Sequence, residues 1–344
     1  MAGLVNAVRT TLSENLGGVA QALAPAATSF TIEEVPDQSG KVAVVTGGSA
    51  GIGYGVTHTL LTKNIAKVFI LSDTKEVVEK AKDAVREELG EDAANRTQWV
   101  QCDLGDWKRT VAAAKEITSA TDRIDILVNN AGRGIMTFQL TDDGLDRHMA
   151  VNHIGHVVLT AHLLPLLTKT AEQGHTVRIT NQASNLHTAT PSETKFASVE
   201  ELNKDYGPNA QYGRSKLAAI LYSRFLARHL TSVQPRILAN ATHPGIVETK
   251  MSQEDIHEPF PLGGYGMSVG LQPFKKNQFD GALSTLYAAT KTEKSGQYIC
   301  PPAAVEEGSQ QAQDEQLGEQ LMKLTAQLIK EKIEEDLPSE LHPN

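Results

Sequence analysis

The chain has 344 residues, with 32 Lys and Arg against 41 Asp and Glu, so its net charge is −9. That length supports a large core, and the acidity, with no local basic run, argues against nucleic acid as a partner. The two cysteines, Cys102 and Cys300, follow no metal-ligand spacing and read as buried thiols in a reducing compartment; no apolar stretch reaches bilayer length, so no spanning helix is expected.

Leu4, Val8, Leu12, Leu16, Val19 and Leu23 recur at three- and four-residue steps and predict an amphipathic helix in an N-terminal extension, 1–39. It could pack on the domain, lie on a membrane surface or act as a transit peptide, though Arg9 and Glu14 do not give the arginine-rich, acid-poor composition of the last. Pro36-Asp37-Gln38-Ser39-Gly40 reads as a turn. Lys41 to Val45 is a β-branched run suited to a strand buried in a parallel sheet. The turn Thr46-Gly47-Gly48-Ser49-Ala50-Gly51-Ile52-Gly53 follows, then a helix from Tyr54 to Thr62. Gly47 and Gly51 allow a tight turn with close backbone approach to a pyrophosphate, and Gly53 allows the helix to pack on the strand. The helix N-terminus then offers N–H groups to phosphates.

Lys67 to Leu71 is the second strand. Asp73, 20 residues beyond Gly53, is placed to accept hydrogen bonds from ribose hydroxyls and to repel a 2′-phosphate. Lys75 is close enough to offer the opposite preference, and Ser72 is the alternative facing side chain. Glu76 to Gly90 is a charged, solvated helix. Trp99 to Cys102 forms the third strand, after which Asp103 either faces a ligand or caps the next helix. Ile124 to Val128 is the fourth strand, closed by Asn129-Asn130-Ala131-Gly132.

Asn152 lies in Val151-Asn152-His153-Ile154-Gly155-His156, on a long helix expected to end near Leu167. His153, His156 and His162 invite a metal reading, but no downstream carboxylate or thiolate completes a set, so packing roles and no metal are expected. Val177 to Ser184 is the fifth strand and its end; the Ser184 hydroxyl can donate to a substrate oxygen. Residues 185–211 form a long connection, expected to be a partly exposed lid. Tyr212 and Lys216 are four apart on a helix and face the same way. A nearby ammonium stabilises phenolate and is expected to lower the tyrosine pKa, so that Tyr212 can exchange a proton with an alcohol or carbonyl. Ile237 to Ala241 is the sixth strand, and Pro244-Gly245 signals a turn. Residues 251–280, with Phe260, Leu262, Tyr265, Met267, Leu271 and Phe274 among glycines, read as an apolar flap over a hydrophobic substrate, or as a cover for the core or an oligomer contact. Beyond 302, a helix is expected from Glu306 to Glu335. Its stripe of Leu317, Leu321, Leu324, Leu328 and Ile333 would dock on the host domain or form part of a homodimer contact.

The glycine turn, the N-N-A-G sequence, Asn152, Ser184 and the Tyr212-x-x-x-Lys216 step, in this order, resemble the short-chain dehydrogenase/reductase family from about residue 40 to 300. The N-H-x-G-H string and the long 185–211 loop are similar to its retinol-dehydrogenase-like branch, which includes fungal members of unassigned substrate. The resemblance implies one Rossmann-like α/β domain, 40–302, with a doubly wound parallel sheet of about seven strands and helical extensions at 1–39 and 303–344. It implies a catalytic set of Asn152, Ser184, Tyr212 and Lys216. Cofactor contacts would come from Gly47, Ser49, Gly51, Ile52 and Gly53 in the turn, and from Asp73, Asp103 and Leu104 around the adenosine. Asn129, Ala131 and Gly132, then Tyr212 and Lys216, then Pro244, Gly245, Val247 and Thr249 would border the rest. Lys216 would also bind the nicotinamide ribose. Ala50 stands where NADP-using relatives often carry Arg or Lys, so with Asp73 it favours NAD over NADP, although the branch mostly prefers NADP.

The expected activity is reversible hydride transfer between NAD(P) and a hydrophobic alcohol, ketone or aldehyde. The alternatives are a nucleotide-binding sensor without turnover and, disfavoured by the glycine spacing, a sugar-nucleotide epimerase or dehydratase. The expected location is cytoplasmic, with a mitochondrial or membrane-peripheral site as the alternative offered by the N-terminal helix.

Overall fold

The computed structural model of the chain describes residues 30–245, 247 and 277–343. The expected N-terminal helix, Thr249 and the flap up to residue 276 lie outside the described residues.

β1 (Val42–Thr46), β2 (Lys67–Ser72), β3 (Thr97–Gln101), β4 (Ile126–Asn129), β5 (Val177–Gln182), β6 (Ile237–Thr242) and β7 (Tyr298–Cys300) run parallel, and β8 (Ala304–Glu306) returns antiparallel to β7. Their order across the sheet is β3-β2-β1-β4-β5-β6-β7-β8. The winding reverses between β1 and β4, and in such sheets ligands bind beyond the carboxyl ends of the strands at that point. The fold is therefore Rossmann-like as expected, with β8 an additional edge strand.

Both faces of the sheet are covered, so its central strands need apolar residues in both directions. Ala43 and Val45 pack with Val68 and Ile70 on the face of α1 (Gly51–Thr62), α2 (Lys75–Leu89) and α6 (Gln278–Thr290). Val42 and Val44 pack with Phe69 and Leu71 on the other face, against α3 (Trp107–Ala120), α4 (Gly155–Glu172) and α5 (Pro208–Leu226). α4 runs past the expected end at Leu167. The reason is that Thr170 in its last turns is buried and accepts a hydrogen bond from Ile124 N at 3.0 Å, fastening the helix to the start of β4. The helical stretch Arg147–Glu172 is long and apolar enough to cross a membrane, contrary to the expectation that no stretch reaches that length; 83% of its apolar window is buried inside the domain, which is where its apolarity is used.

The C-terminal segment departs from the expected helix. Glu306 ends β8, Gly308 turns the chain at φ +73°, and α7 (Glu315–Ile333) starts only where Asp314 accepts a hydrogen bond from Leu317 N. Leu317, Leu321, Leu324 and Leu328, joined by Met322 and Ile329, are buried in the same core as α5, while Ile333 is partly buried. The stripe is thus consumed within the chain. Polar ties secure it: Glu319 with Arg228 at 3.0 Å and His229 at 2.8 Å, Thr325 with His153 at 2.9 Å, and Glu335 with His162.

The 185–207 connection is partly exposed but pinned. Phe196 is buried, the Glu201 carboxylate accepts from the backbone N–H groups of Lys195, Phe196 and Ala197, and Arg214, fully buried beneath, donates to the carbonyls of Glu201 and Leu202.

Leu321→Ala and Leu328→Ala should each destabilise the protein by about 2–4 kcal/mol, against less than about 0.5 kcal/mol for the exposed Val305→Ala, measured by urea denaturation. Acid should also weaken the fold. Burial pulls His153 down to about 3 and His156 to about 4, from 6.5 in the unfolded chain. Below about pH 6.5 the unfolded state therefore binds more protons, and each histidine removes up to about 1.4 kcal/mol of stability per pH unit, an effect absent above that pH. Asp146, raised to about 6 by burial, acts in the opposite sense between about pH 4 and 6. His153→Phe should therefore flatten the stability-versus-pH curve below pH 6.5 by about one proton relative to the unsubstituted chain.

Candidate active site

The glycine turn joins β1 to α1. Gly47 has φ +64° and Gly51 φ +50°, a region that glycine adopts without strain. A Cβ at Gly53 would stand 2.2 Å from the Gly47 carbonyl oxygen, so no other residue fits there without moving backbone. Ala50 at the start of α1 supplies no side-chain cap, which leaves the first-turn N–H groups facing outward for an anion. A cavity of about 340 Å³ opens beside the turn, lined among others by Thr46, Gly47, Asp73, Asp103, Ala131 and Gly132. These features fit a dinucleotide phosphate and adenosine.

Both Ser72 and Asp73 line this cavity, and the Asp73 carboxylate accepts from the Thr74 hydroxyl at 2.9 Å. Lys75 is paired with Glu79 at 3.4 Å, so its charge is engaged along its own helix. Asp103 does not cap α3; that position is taken by Asp106, which accepts from Arg109 N, while Asp103 accepts from Gly105 N at 2.8 Å. Leu104 also lines the cavity. Asn129 is buried and donates to Asn181 Oδ1 at 2.9 Å and to Thr160 Oγ1 at 3.2 Å, which joins β4, β5 and α4. Leu71, Cys102, Arg133, Met136, Arg147 and Val151 also line it and were missed as site residues in the sequence. Arg133 could have been found, since it directly follows N-N-A-G; nothing local marks Arg147.

The expected catalytic residues converge. Ser184, at the end of β5, is buried beside Tyr212, and its hydroxyl accepts from Leu186 N at 3.2 Å and lies 3.4 Å from Asn185 Oδ1. Lys216 is 5% exposed, sits 5.4 Å from the centre of the Tyr212 ring and donates to Gln182 O at 2.9 Å. Among the described residues no carboxylate pairs with it, and burial lowers its pKa to about 8. Burial raises the Tyr212 phenol to about 12, an effect only partly offset by the neighbouring Ser184 hydroxyl. The lowered tyrosine pKa expected from Lys216 is therefore not produced by the protein's own groups. Desolvation of the phenolate dominates, and Lys216, 5.4 Å from the ring centre, does not counter it.

Asn152 occupies a π-helical turn, Ala150–Ile154, at the head of α4. Its Oδ1 accepts from Arg133 N at 2.6 Å, and its Nδ2 donates to Ser215 Oγ at 2.9 Å and Arg133 O at 3.1 Å. The side chain thus ties the loop after β4 to α5, one residue before Lys216. Ser49 and Ile52 stand at the glycine turn, and Pro244 and Gly245 follow β6, with Gly245 at φ +80°. Val247 is buried against Gly281 of α6.

The family model for short chain dehydrogenases matches residues 41–199. A protein of Neurospora crassa, named as a candidate oxidoreductase, bli-4, mitochondrial, is 54% identical over 330 residues, covering 94% of this chain and 80% of that protein. A Mus musculus protein named polyprenol dehydrogenase is 30% identical, covering 85% of each. Among solved structures, the Pseudomonas aeruginosa RhlG/NADP active-site complex superposes with a TM-score of 0.58 at 26% identity, covering 76% of this chain and 95% of that one. The retinol-dehydrogenase-like branch does not emerge from these relatives. By its similarity to the Neurospora protein along nearly its whole length and its match to the family model, the chain belongs to the short-chain dehydrogenase/reductase family of oxidoreductases.

Proposed function

We propose that the protein transfers hydride reversibly between a nicotinamide dinucleotide and a hydrophobic alcohol or its carbonyl counterpart, with Tyr212 moving the proton. The observation that carries this reading is the gathering of Tyr212, the buried Ser184 and the buried Lys216, which reaches both the Tyr212 ring and the end of β5, at the strand ends that border the glycine turn. The bound dinucleotide supplies or accepts the hydride. The protein's groups do the rest: Ser184 holds the substrate oxygen, and Tyr212 gives it a proton or takes one. A phenol held protonated by burial begins as a donor. Taking a proton from an alcohol requires positive charge beside it, from Lys216 and from an oxidised ring. Tyr212→Phe should keep dinucleotide binding within about twofold while turnover falls by about 100-fold or more, compared by calorimetric titration and by NADH oxidation with a panel of hydrophobic ketones and aldehydes. Full activity in this variant would remove Tyr212 from the mechanism.

The cofactor reading favours NAD. The Asp73 carboxylate lines the cavity where the adenosine ribose would lie and would repel a 2′-phosphate, although the Pseudomonas relative is described with NADP. A bound ligand stabilises the folded state according to its affinity. NADH should therefore raise the melting temperature more than NADPH, and Asp73→Asn should narrow the gap. A larger shift with NADPH in the unsubstituted chain would reverse the assignment.

The name of the mouse relative points to a long apolar alcohol, in keeping with the hydrophobic substrate class proposed here. The mitochondrial designation of the Neurospora protein favours an organellar location over the cytoplasmic one first expected.

A further inference from the structure

His156 belongs to none of the expected site residues, yet it spans two of the segments that build the site. It is 3% exposed, one turn after Asn152. Its Nδ1 lies 3.1 Å from the Asn152 carbonyl oxygen, and its Nε2 lies 2.9 Å from Thr46 Oγ1, at the last residue of β1. Chemistry assigns the hydrogens. A carbonyl only accepts, so Nδ1 must carry the proton. Burial and the nearby Lys216 charge disfavour a second proton, so Nε2 is an acceptor and the Thr46 hydroxyl donates to it. The competing acceptor for that hydroxyl, Val128 O, is farther away at 3.4 Å. With its proton directed at His156, Thr46 Oγ1 presents lone pairs to Asn130 N and Ala131 N, each at 2.9 Å. Every hydrogen in the chain Asn152 O, His156, Thr46, Asn130 and Ala131 is thereby determined, without a charge.

We propose that His156, as the neutral Nδ1–H tautomer, is a positioning residue that couples the Asn152 turn to the glycine turn and the N-N-A-G segment, so that the catalytic and dinucleotide halves are held in one register. This rests on the reading of Asn152, Ala131 and Gly132 as parts of an oxidoreductase site. The rigid imidazole sets the distance between the head of α4 and the end of β1, and Ala131 and Gly132 wall the cavity beside that end. His153, three residues earlier, is the internal contrast. Thr325 Oγ1 donates to Leu321 O at 2.8 Å and so accepts from His153, whose Nε2 carries the proton.

Two substitutions separate the two bonds. Asn at 156 can place its amide near the Nδ1 position and keep the bond to Asn152 O; Gln can reach the Nε2 position and accept from Thr46. Full-length protein labelled with ¹⁵N-histidine should show, in long-range ¹H–¹⁵N spectra at neutral pH, an Nδ1–H signal that disappears in His156→Gln, alongside an Nε2–H signal from His153. A cationic or Nε2–H His156 would overturn the assignment. Calorimetric titration with NADH and NADPH should give His156→Gln an affinity within about twofold of the unsubstituted chain, and His156→Asn and His156→Leu an affinity lower by about tenfold. Lower melting temperatures in all three variants with unchanged nucleotide affinity would reduce His156 to a packing residue and refute the coupling. Failure of the unsubstituted chain to bind either nucleotide would instead sink the oxidoreductase reading, and with it the coupling role, while leaving the tautomer to be decided by the spectra.

Discussion

The close approach of α1 to the Gly47 carbonyl is the constraint on which the rest of the site depends. Only a hydrogen at Gly53 lets the helix begin directly above β1, with its N–H groups aimed along the edge of the sheet. Once α1 is seated there, the carboxyl ends of β1, β4 and β5 share one border, and everything placed just beyond them faces the same space. Asp73 follows β2, Asp103 follows β3, N-N-A-G follows β4 and Ser184 follows β5. One parallel topology thus brings together groups spread over more than a hundred residues.

Behind that border the protein buries polar groups, many of them hydrogen-bonded to each other. Asn129, Asn181, Ser223 and Thr160 form a neutral cluster between the sheet and its helices. His156 and Thr46 form another. Neutral groups carry little desolvation cost when hydrogen-bonded, whereas a buried charge needs a partner. Lys216 departs from this rule: buried, bonded to a carbonyl and with its pKa pulled down to about 8. Such a group, held next to a phenol whose own ionisation is suppressed, is what a site tuned for proton exchange contains. Elsewhere the buried cations are structural. Arg214 is surrounded by the carbonyls of the 185–207 connection and by Gln211, and it holds that loop to α5.

Much of the site was legible because local pattern and chemistry coincide there. A glycine turn between a β-branched strand and a helix has few other uses, and a Tyr and Lys one turn apart must share a face. The short, continuously apolar strands also announced a sheet covered on both sides. Three features were not legible. The start of α7 depended on Gly308 and Asp314, whose turn and cap roles become evident only once β8 pairs with β7. The tyrosine pKa depended on enclosure of the phenol, which is not a property of spacing. The histidines were read as packing groups because metal ligation was the only other role that their spacing suggested. Their hydrogen-bond partners, Thr46 and Thr325, lie 110 and 172 residues away in the chain.

By itself, then, the sequence determined the parallel fold, the glycine turn and the placing of Tyr212 and Lys216 on one helix face, because each is written in residues close together in the chain. The tertiary structure alone decided which groups are dry, which tautomer a histidine adopts, and that the C-terminal stripe is covered by its own domain. Those outcomes depend on partners brought together from distant segments, and burial sets their electrostatics.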